Sequence, residues 1–129
     1  MALILVVDDE PLVRRTLRSV LERAGHEVEE AQDGNEALQK FGAARPDLIL
    51  IDIIMPDREG AETIADIRRA DAHVPIVAMS GGGVVGDKLF LDLATQLGAT
   101  RTVSKPVRNA DLLALVDGCL RFGHQPTGG

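Results

Sequence analysis

Aromatic side chains are almost absent from this sequence. Its 129 residues include three Phe and neither Trp nor Tyr. Stacking of nucleic-acid bases and binding of cofactors in ring-lined pockets both depend on aromatic side chains, so the sequence argues against either kind of site. The buried core must instead consist of Leu, Ile, Val and Ala.

Positive charge is also in short supply. The chain carries 20 acidic residues against 14 Lys and Arg, and its formal net charge is −6 at pH 7. Non-specific affinity for the phosphate backbone of nucleic acid comes from clustered Lys and Arg. The composition therefore predicts no nucleic-acid partner and favours a protein or a small anion.

Cysteine and long apolar runs are scarce as well. The single cysteine, Cys119, excludes an internal disulfide framework and is typical of a reducing compartment. We interpret it as a core residue. The first ten residues, MALILVVDDE, lack a basic leader, and their apolar run is too short for a signal peptide or a membrane span. We therefore expect a cytoplasmic protein with no membrane partner.

Four short apolar runs divide the chain. They are Leu3 to Val7, Leu48 to Ile51, Val74 to Met79 and Thr102 to Val103. Continuous apolar runs of this length are typical of strands buried on both faces of a parallel sheet. A weaker pattern over residues 26–31 predicts an edge strand whose best core candidates are Val28 and Ala31. A helical pattern follows each of the five strands. This alternation predicts an α/β fold with a doubly wound, five-stranded parallel sheet of the (βα)5 type.

Each of the four apolar runs ends at a polar residue. The residues at those ends are Asp8 with Asp9, Asp52, Ser80 and Lys105. Because ligands of open α/β sheets bind beyond the carboxyl ends of the strands, we expect these side chains to meet at one edge. Clustered carboxylates need a cation, and Mg²⁺ suits the site because it binds one or two carboxylates together with water and phosphate oxygens. The ammonium and the hydroxyl could then hold a phosphoryl group.

Asp52 is the predicted nucleophile of this site. A carboxylate held in such a cage can attack phosphorus and form an aspartyl phosphate. Asp52 closes the run predicted to be the central strand, whereas Asp8 and Asp9 lie at a turn suited to metal binding. An acidic residue at the end of a strand is commonly a loop residue or a helix cap, so a capping role for Asp8 stays open.

The motifs of this chain resemble the receiver domain of two-component response regulators. They are the run Val7-Asp8-Asp9-Glu10, Asp52 with Met55-Pro56 and Gly60, Ser80 before small residues, and Lys105-Pro106. The resemblance covers nearly the whole chain, with a receiver domain over residues 1–122, and we expect the small polar tail over residues 123–129 to be disordered. It implies a flavodoxin-like fold with strand order 2-1-3-4-5.

The resemblance implies that Asp52 accepts a phosphoryl group from a phosphohistidine. The donor would be a sensor histidine kinase or a histidine phosphotransfer protein. Mg²⁺ would be held by Asp8, Asp9, Asp52 and the backbone carbonyl of Ile54. Such a domain catalyses only its own phosphorylation and dephosphorylation, and it signals through its contacts with a downstream protein. With no room for an effector domain in this length, we expect a stand-alone receiver, unless the chain is a fragment of a longer regulator.

Ser80 and Lys105 would bind the phosphoryl oxygens, again by resemblance. The peptide bond between Lys105 and Pro106 is a candidate cis bond. Many family members carry an aromatic residue three positions before the lysine, which swings inward on phosphorylation, but here that position is Thr102. The signal would then have to travel through Ser80 and the glycines that follow it.

Arg14 and Arg18 lie one helical turn apart on the first predicted helix. They could meet an acidic partner protein, or they could form an ordinary solvated face of the helix. Both interpretations stay open at the level of sequence.

Three other functions are consistent with parts of the sequence. A phosphorylation-independent interaction module could have kept the pocket by descent. A phosphohydrolase of the haloacid dehalogenase type would need a second acid two residues after Asp52, where Ile54 stands. The glycines over residues 81–86 match the spacing of a dinucleotide-binding turn, but no acidic residue follows at the distance that such a fold requires.

Overall fold

Strands and helices alternate along the chain in the computed structural model, which describes residues 2–53, 60–80 and 87–124, the side chains of 87–91 excepted. In chain order they are β1 (Leu3–Val7), α1 (Pro11–Arg23), β2 (Glu27–Ala31), α2 (Gly34–Ala44), β3 (Leu48–Asp52), α3 (Gly60–Ala70), β4 (Ile76–Ser80), α4 (Asp87–Leu97), β5 (Arg101–Ser104) and α5 (Asn109–Phe122). The predicted alternation is confirmed.

The five strands form one parallel sheet in the order β2-β1-β3-β4-β5. The predicted doubly wound, flavodoxin-like (βα)5 fold with strand order 2-1-3-4-5 is therefore confirmed. Because the strand order reverses between β1 and β3, their carboxyl ends open a crevice where a ligand can bind. Val6 pairs with Leu50, and this register brings the ends of the two strands level.

Helices cover both faces of the sheet. Along β1, alternate residues enter two separate buried clusters, as the two-residue period of a strand requires. One cluster is closed by α2, α3 and α4, with Phe41 and Ile64 among its members. The other is closed by α1 and α5, with Leu21 and Val116 among its members, and it also includes Cys119, which is 5% exposed. The interpretation of Cys119 as a core residue is confirmed.

The edge strand β2 follows the predicted pattern. Val28 and Ala31 are buried, while Glu27 and Glu29 are exposed. Parallel pairing to β1 places Glu30 beside Val6, close to the carboxyl edge of the sheet. A charged residue of the edge strand therefore lies near the predicted site.

The helix starts follow from local chemistry. Pro11 occupies the first position of α1, where a missing N–H costs nothing. Asp33 caps α2, and its side chain accepts a hydrogen bond from the Glu36 amide at 2.8 Å. No helix in the described ranges is long and apolar enough to cross a membrane. Most of the predicted tail, residues 125–129, lies outside the described residues.

Candidate functional site

Three carboxylates converge beyond the ends of β1 and β3. Asp8, Asp9 and Asp52 each offer one oxygen, and these three oxygens lie within 4.8 Å of one another. Asp8 is fully buried and Asp52 is 8% exposed, whereas Asp9 faces solvent. The parallel pairing of β1 with β3 produces this cluster, because it places the two strand ends side by side.

Lys105 joins the carboxylates from the end of β5. Its ammonium Nζ donates to Asp8 Oδ2 at 2.9 Å and to Asp52 Oδ2 at 3.2 Å. Burial acts to lower the pKa of Lys105, but the hydrogen bond to Asp8 and the nearby carboxylate charges outweigh burial and raise it. The ammonium therefore stays charged between the two acids. The bond between Lys105 and Pro106 is cis, as predicted.

Ser80 ends β4 at the same edge. It follows Met79, which pairs with Asp52, and its carbonyl accepts a hydrogen bond from the Lys105 amide at 2.8 Å. The Ser80 hydroxyl is fully buried and has no hydrogen-bond partner among the described residues. A buried, unpaired hydroxyl costs roughly 1–3 kcal/mol. The sequence did not predict this feature, which would suit a group that gains a partner when a ligand binds.

Gly60 allows α3 to begin directly against the end of β3. Its amide donates to the Ile53 carbonyl at 3.1 Å. A Cβ atom at this position would lie 2.3 Å from the carbonyl oxygen of Asp52, which is closer than any real contact. Glycine is therefore required for the backbone around Asp52 to adopt this arrangement.

Asp8 does not cap α1, although the sequence left that role open. Glu10 occupies the N-cap position of α1 and makes no side-chain capping bond. Asp8 Oδ1 instead accepts a hydrogen bond from the Glu10 amide at 3.0 Å, before the helix begins. This bond tightens the turn that carries both Asp8 and Asp9.

The donor set fits a hard divalent cation. Three carboxylate oxygens gathered at one edge are the ligands that Mg²⁺ prefers, and their mutual repulsion favours a cation among them. The fourth predicted protein ligand, the carbonyl of Ile54, lies outside the described residues, as do Met55 and Pro56. The structure thus brings Asp8, Asp9, Asp52 and Lys105 together.

The two arginines of α1 pair within the chain. Arg14 Nε donates to Glu30 Oε1 at 3.1 Å, and Arg18 Nη1 donates to Glu30 Oε2 at 2.9 Å. Only 14% of the Arg14 side chain is exposed. Arg14 therefore belongs neither to an exposed surface for an acidic partner nor to a solvated face of the helix. Sequence reasoning missed Glu30. The available signal was its place at the end of an edge strand next to β1, beneath the helix that carries both arginines.

Comparisons with a protein family, with curated relatives and with solved structures give consistent results. The sequence model that describes the response regulator receiver domain family matches residues 4–117 of this chain. The chain is 36% identical to the alkaline phosphatase synthesis transcriptional regulatory protein PhoP of Bacillus subtilis, over 92% of this chain and 48% of the relative. It is 33% identical to the transcriptional regulatory protein TrcR of Mycobacterium tuberculosis, over 92% of this chain and 45% of the relative. The chain spans about half the length of these curated relatives.

One solved structure matches this chain along nearly the whole of its own length. The chemotaxis protein CheY4 of Vibrio cholerae superposes with a TM-score of 0.82 at 33% identity. The alignment covers 92% of this chain and 98% of that one. The stand-alone state stays a prediction, because the similar proteins include both longer and equally short chains.

The prediction of no nucleic-acid partner is wrong. The relatives are transcriptional regulators, and regulation of transcription is exerted at DNA. The prediction rested on the net charge of −6, which describes these 129 residues alone. This chain corresponds to about half the length of the relatives. Its net charge gives no information about the charges in their other half, where nucleic-acid binding can reside.

Proposed function

The chain belongs to the response regulator receiver family, and we propose that it is a phosphoacceptor switch in which Asp52 receives a phosphoryl group. The donor is a phosphohistidine on a sensor histidine kinase or a histidine phosphotransfer protein, in the cytoplasm. The output is a change in contacts with a downstream protein.

The contact of Lys105 with both Asp8 and Asp52 carries this proposal. An ammonium at 3.2 Å from an Asp52 oxygen stands where it can bind an oxygen of a phosphoryl group attached to that carboxylate. The second bond, at 2.9 Å to Asp8, holds the ammonium at the strand ends when the phosphoryl group is absent. These contacts support a role for Lys105 in neutralising charge on the transferred group.

Transfer requires one bond to form and one to break. A carboxylate oxygen of Asp52 attacks phosphorus, the P–N bond of the donor imidazole breaks, and its electron pair stays on the ring nitrogen. Asp8, Asp9 and Asp52 would hold Mg²⁺, which when bound would offset the negative charge of the acids and of the phosphoryl oxygens. The chain thereby catalyses its own phosphorylation and, through water attack on the same group, its dephosphorylation.

Ser80 is the proposed start of signal transmission. Its buried hydroxyl lacks a partner among the described residues and would gain one from a phosphoryl oxygen. Because the new hydrogen bond removes the desolvation cost of that hydroxyl, it stabilises the arrangement that the end of β4 adopts in the phosphorylated protein. Thr102, half-buried on β5 opposite Ala78, replaces the aromatic side chain that many family members use.

Incubation with acetyl phosphate and Mg²⁺, followed by intact mass spectrometry, tests the proposal. The wild type should gain the mass of one phosphoryl group, and Asp52→Asn should gain none, because its amide is not a nucleophile. Absence of an adduct in the folded wild type would favour a phosphorylation-independent interaction module. Steady release of phosphate over many turnovers would favour a phosphohydrolase.

A further inference from the structure

Asp8 is held through its backbone as well as its carboxylate. Its amide donates to the Ala31 carbonyl of β2 at 3.1 Å, which extends the sheet by one residue. Its carbonyl accepts a hydrogen bond from Arg14 Nη1 at 2.6 Å. That carbonyl belongs to the peptide group joining Asp8 to Asp9, so Arg14 sets the orientation of the link between two carboxylate-bearing residues.

The orientation of this peptide group matters for metal binding. Adjacent residues of a regular strand point to opposite faces, so an extended chain would separate the carboxylates of Asp8 and Asp9. The observed turn instead brings one oxygen of each within 4.8 Å of the other and of Asp52. A donor fixed on the Asp8 carbonyl opposes rotation of the peptide group back toward the extended arrangement.

Glu30 in turn holds Arg14. The guanidinium of Arg14 spans two acceptors, the Asp8 carbonyl through Nη1 and Glu30 Oε1 through Nε. The Glu30 backbone is itself fixed, since its carbonyl accepts a hydrogen bond from Lys40 Nζ. Burial acts to raise the pKa of Glu30, but hydrogen bonds from Arg18 and then Arg14 outweigh it and lower that pKa. Glu30 is therefore ionised at neutral pH.

We propose that Arg14, held by Glu30, is a positioning residue that keeps Asp8 and Asp9 turned toward one shared cation. This inference rests on the proposed function, because it assigns Arg14 and Glu30 to support of the same acidic site. Arginine suits the position because its planar guanidinium presents several donors in fixed directions. A lysine would have to reach both the Asp8 carbonyl and the Glu30 carboxylate from one nitrogen.

Titration of the metal-free protein with Mg²⁺ by calorimetry tests the inference. Arg14→Gln should weaken Mg²⁺ affinity by ~10-fold, as is typical when a partner of a metal ligand is lost. Glu30→Gln should weaken it less, and Arg14→Lys should recover part of the loss. The matched control is Arg18→Gln, which removes the other arginine partner of Glu30 without touching Asp8 and should leave the affinity close to that of the wild type.

A second readout needs no metal. The Glu10 amide donates to Asp8 Oδ1, so its ¹H–¹⁵N resonance reports the placement of that carboxylate. In metal-free protein, this resonance should move in Arg14→Gln and stay in place in Arg18→Gln. Circular dichroism establishes that each variant is folded, and Glu30→Gln serves as the test if Arg14→Gln does not fold.

The outcomes separate this inference from the proposed function. Wild-type Mg²⁺ affinity and an unmoved Glu10 resonance in Arg14→Gln would overturn the positioning role. Equal losses in Arg14→Gln and Arg18→Gln would also overturn it, because they would indicate a general electrostatic effect. A wild type that binds Mg²⁺ but accepts no phosphoryl group would overturn the proposed function alone. If the wild type bound no Mg²⁺, the Glu10 resonance of the metal-free variants would still decide the positioning role.

Discussion

The two edges of the sheet use polar side chains in different ways. At the amino edge, polar side chains bind the backbone where strands begin. Asp47 Oδ2 accepts from the Leu3 amide at 2.8 Å, and Thr100 Oγ1 accepts from the Ile76 amide at 3.0 Å. At the carboxyl edge, by contrast, polar side chains gather against one another, and the Ser80 hydroxyl has no hydrogen-bond partner within the described ranges.

This difference indicates a division of roles between stability and chemistry. Bonds at the amino edge give backbone groups a partner, and the amide of the fully buried Ile76 would be costly to leave without one, so these bonds stabilise the fold. Arg68 does the same at that end, donating to the Gly98 carbonyl at 2.7 and 3.0 Å. The carboxyl edge concentrates like charges and a buried hydroxyl, which are unfavourable without a ligand. Substitutions at the two edges should therefore have opposite effects on stability.

The largest stability effect is expected for Thr100→Val. This change leaves the buried Ile76 amide without its acceptor, and the free energy of unfolding should fall by about 1–3 kcal/mol. Urea unfolding followed by far-ultraviolet circular dichroism measures the change, since the chain has no Trp or Tyr. Thr102→Val makes the same chemical change two residues further along. A loss in Thr102→Val equal to that in Thr100→Val would contradict the stabilising role assigned to the bond between Thr100 and the Ile76 amide.

A smaller effect of opposite sign is expected for Ser80→Ala. Removing a buried hydroxyl that has no partner in the described part of the chain should leave the free energy of unfolding unchanged or raise it by up to about 1 kcal/mol. The same substitution should slow phosphorylation by acetyl phosphate, because one donor to the phosphoryl oxygens is lost. A loss of stability as large as that of Thr100→Val would show that the two edges do not differ in this respect.

The smallest effect is expected from the pH dependence of His124, which bonds Thr100 Oγ1 through Nδ1 at 2.8 Å. Burial, then the charges of Arg68 and His73, lower the pKa of His124 from its usual 6.5. A histidine whose pKa is lowered by folding contributes fully above its unfolded pKa, and that contribution is lost as pH falls below about 6.5. Unfolding free energies measured from pH 7.5 to 5.5 should therefore fall more in the wild type than in His124→Gln. An equal dependence on pH in the two proteins would contradict the lowered pKa of His124 in the folded state.

Much of the fold could be predicted because the strands carry strong signals. The apolar run of β3 indicated the central strand, and the alternating pattern that contains Val28 and Ala31 indicated an edge strand. The strand-end rule then predicted that Asp8, Asp52 and Lys105 would meet. These features depend on local pattern and topology, which a sequence records directly.

Other features depend on atomic placement, which the sequence does not record. The lack of a hydrogen-bond partner for the Ser80 hydroxyl among the described residues depends on all the groups packed around it. The role of Glu30 depends on how α1 is rotated over β2, so its acceptance of two arginines could not be read from spacing. The nucleic-acid prediction failed for a different reason, because it used the charge of this chain as if it described the full length of its relatives.

Mapping the phosphorylated residue tests the central claim most directly. Protein treated with acetyl phosphate is reduced with borohydride, which converts an aspartyl phosphate to homoserine, and the modified peptide is sequenced by mass spectrometry. We predict modification at Asp52 alone, and only when Mg²⁺ is present. Modification at Asp8 or Asp9, or equal modification at Asp52 in the presence of a chelator, would contradict the account.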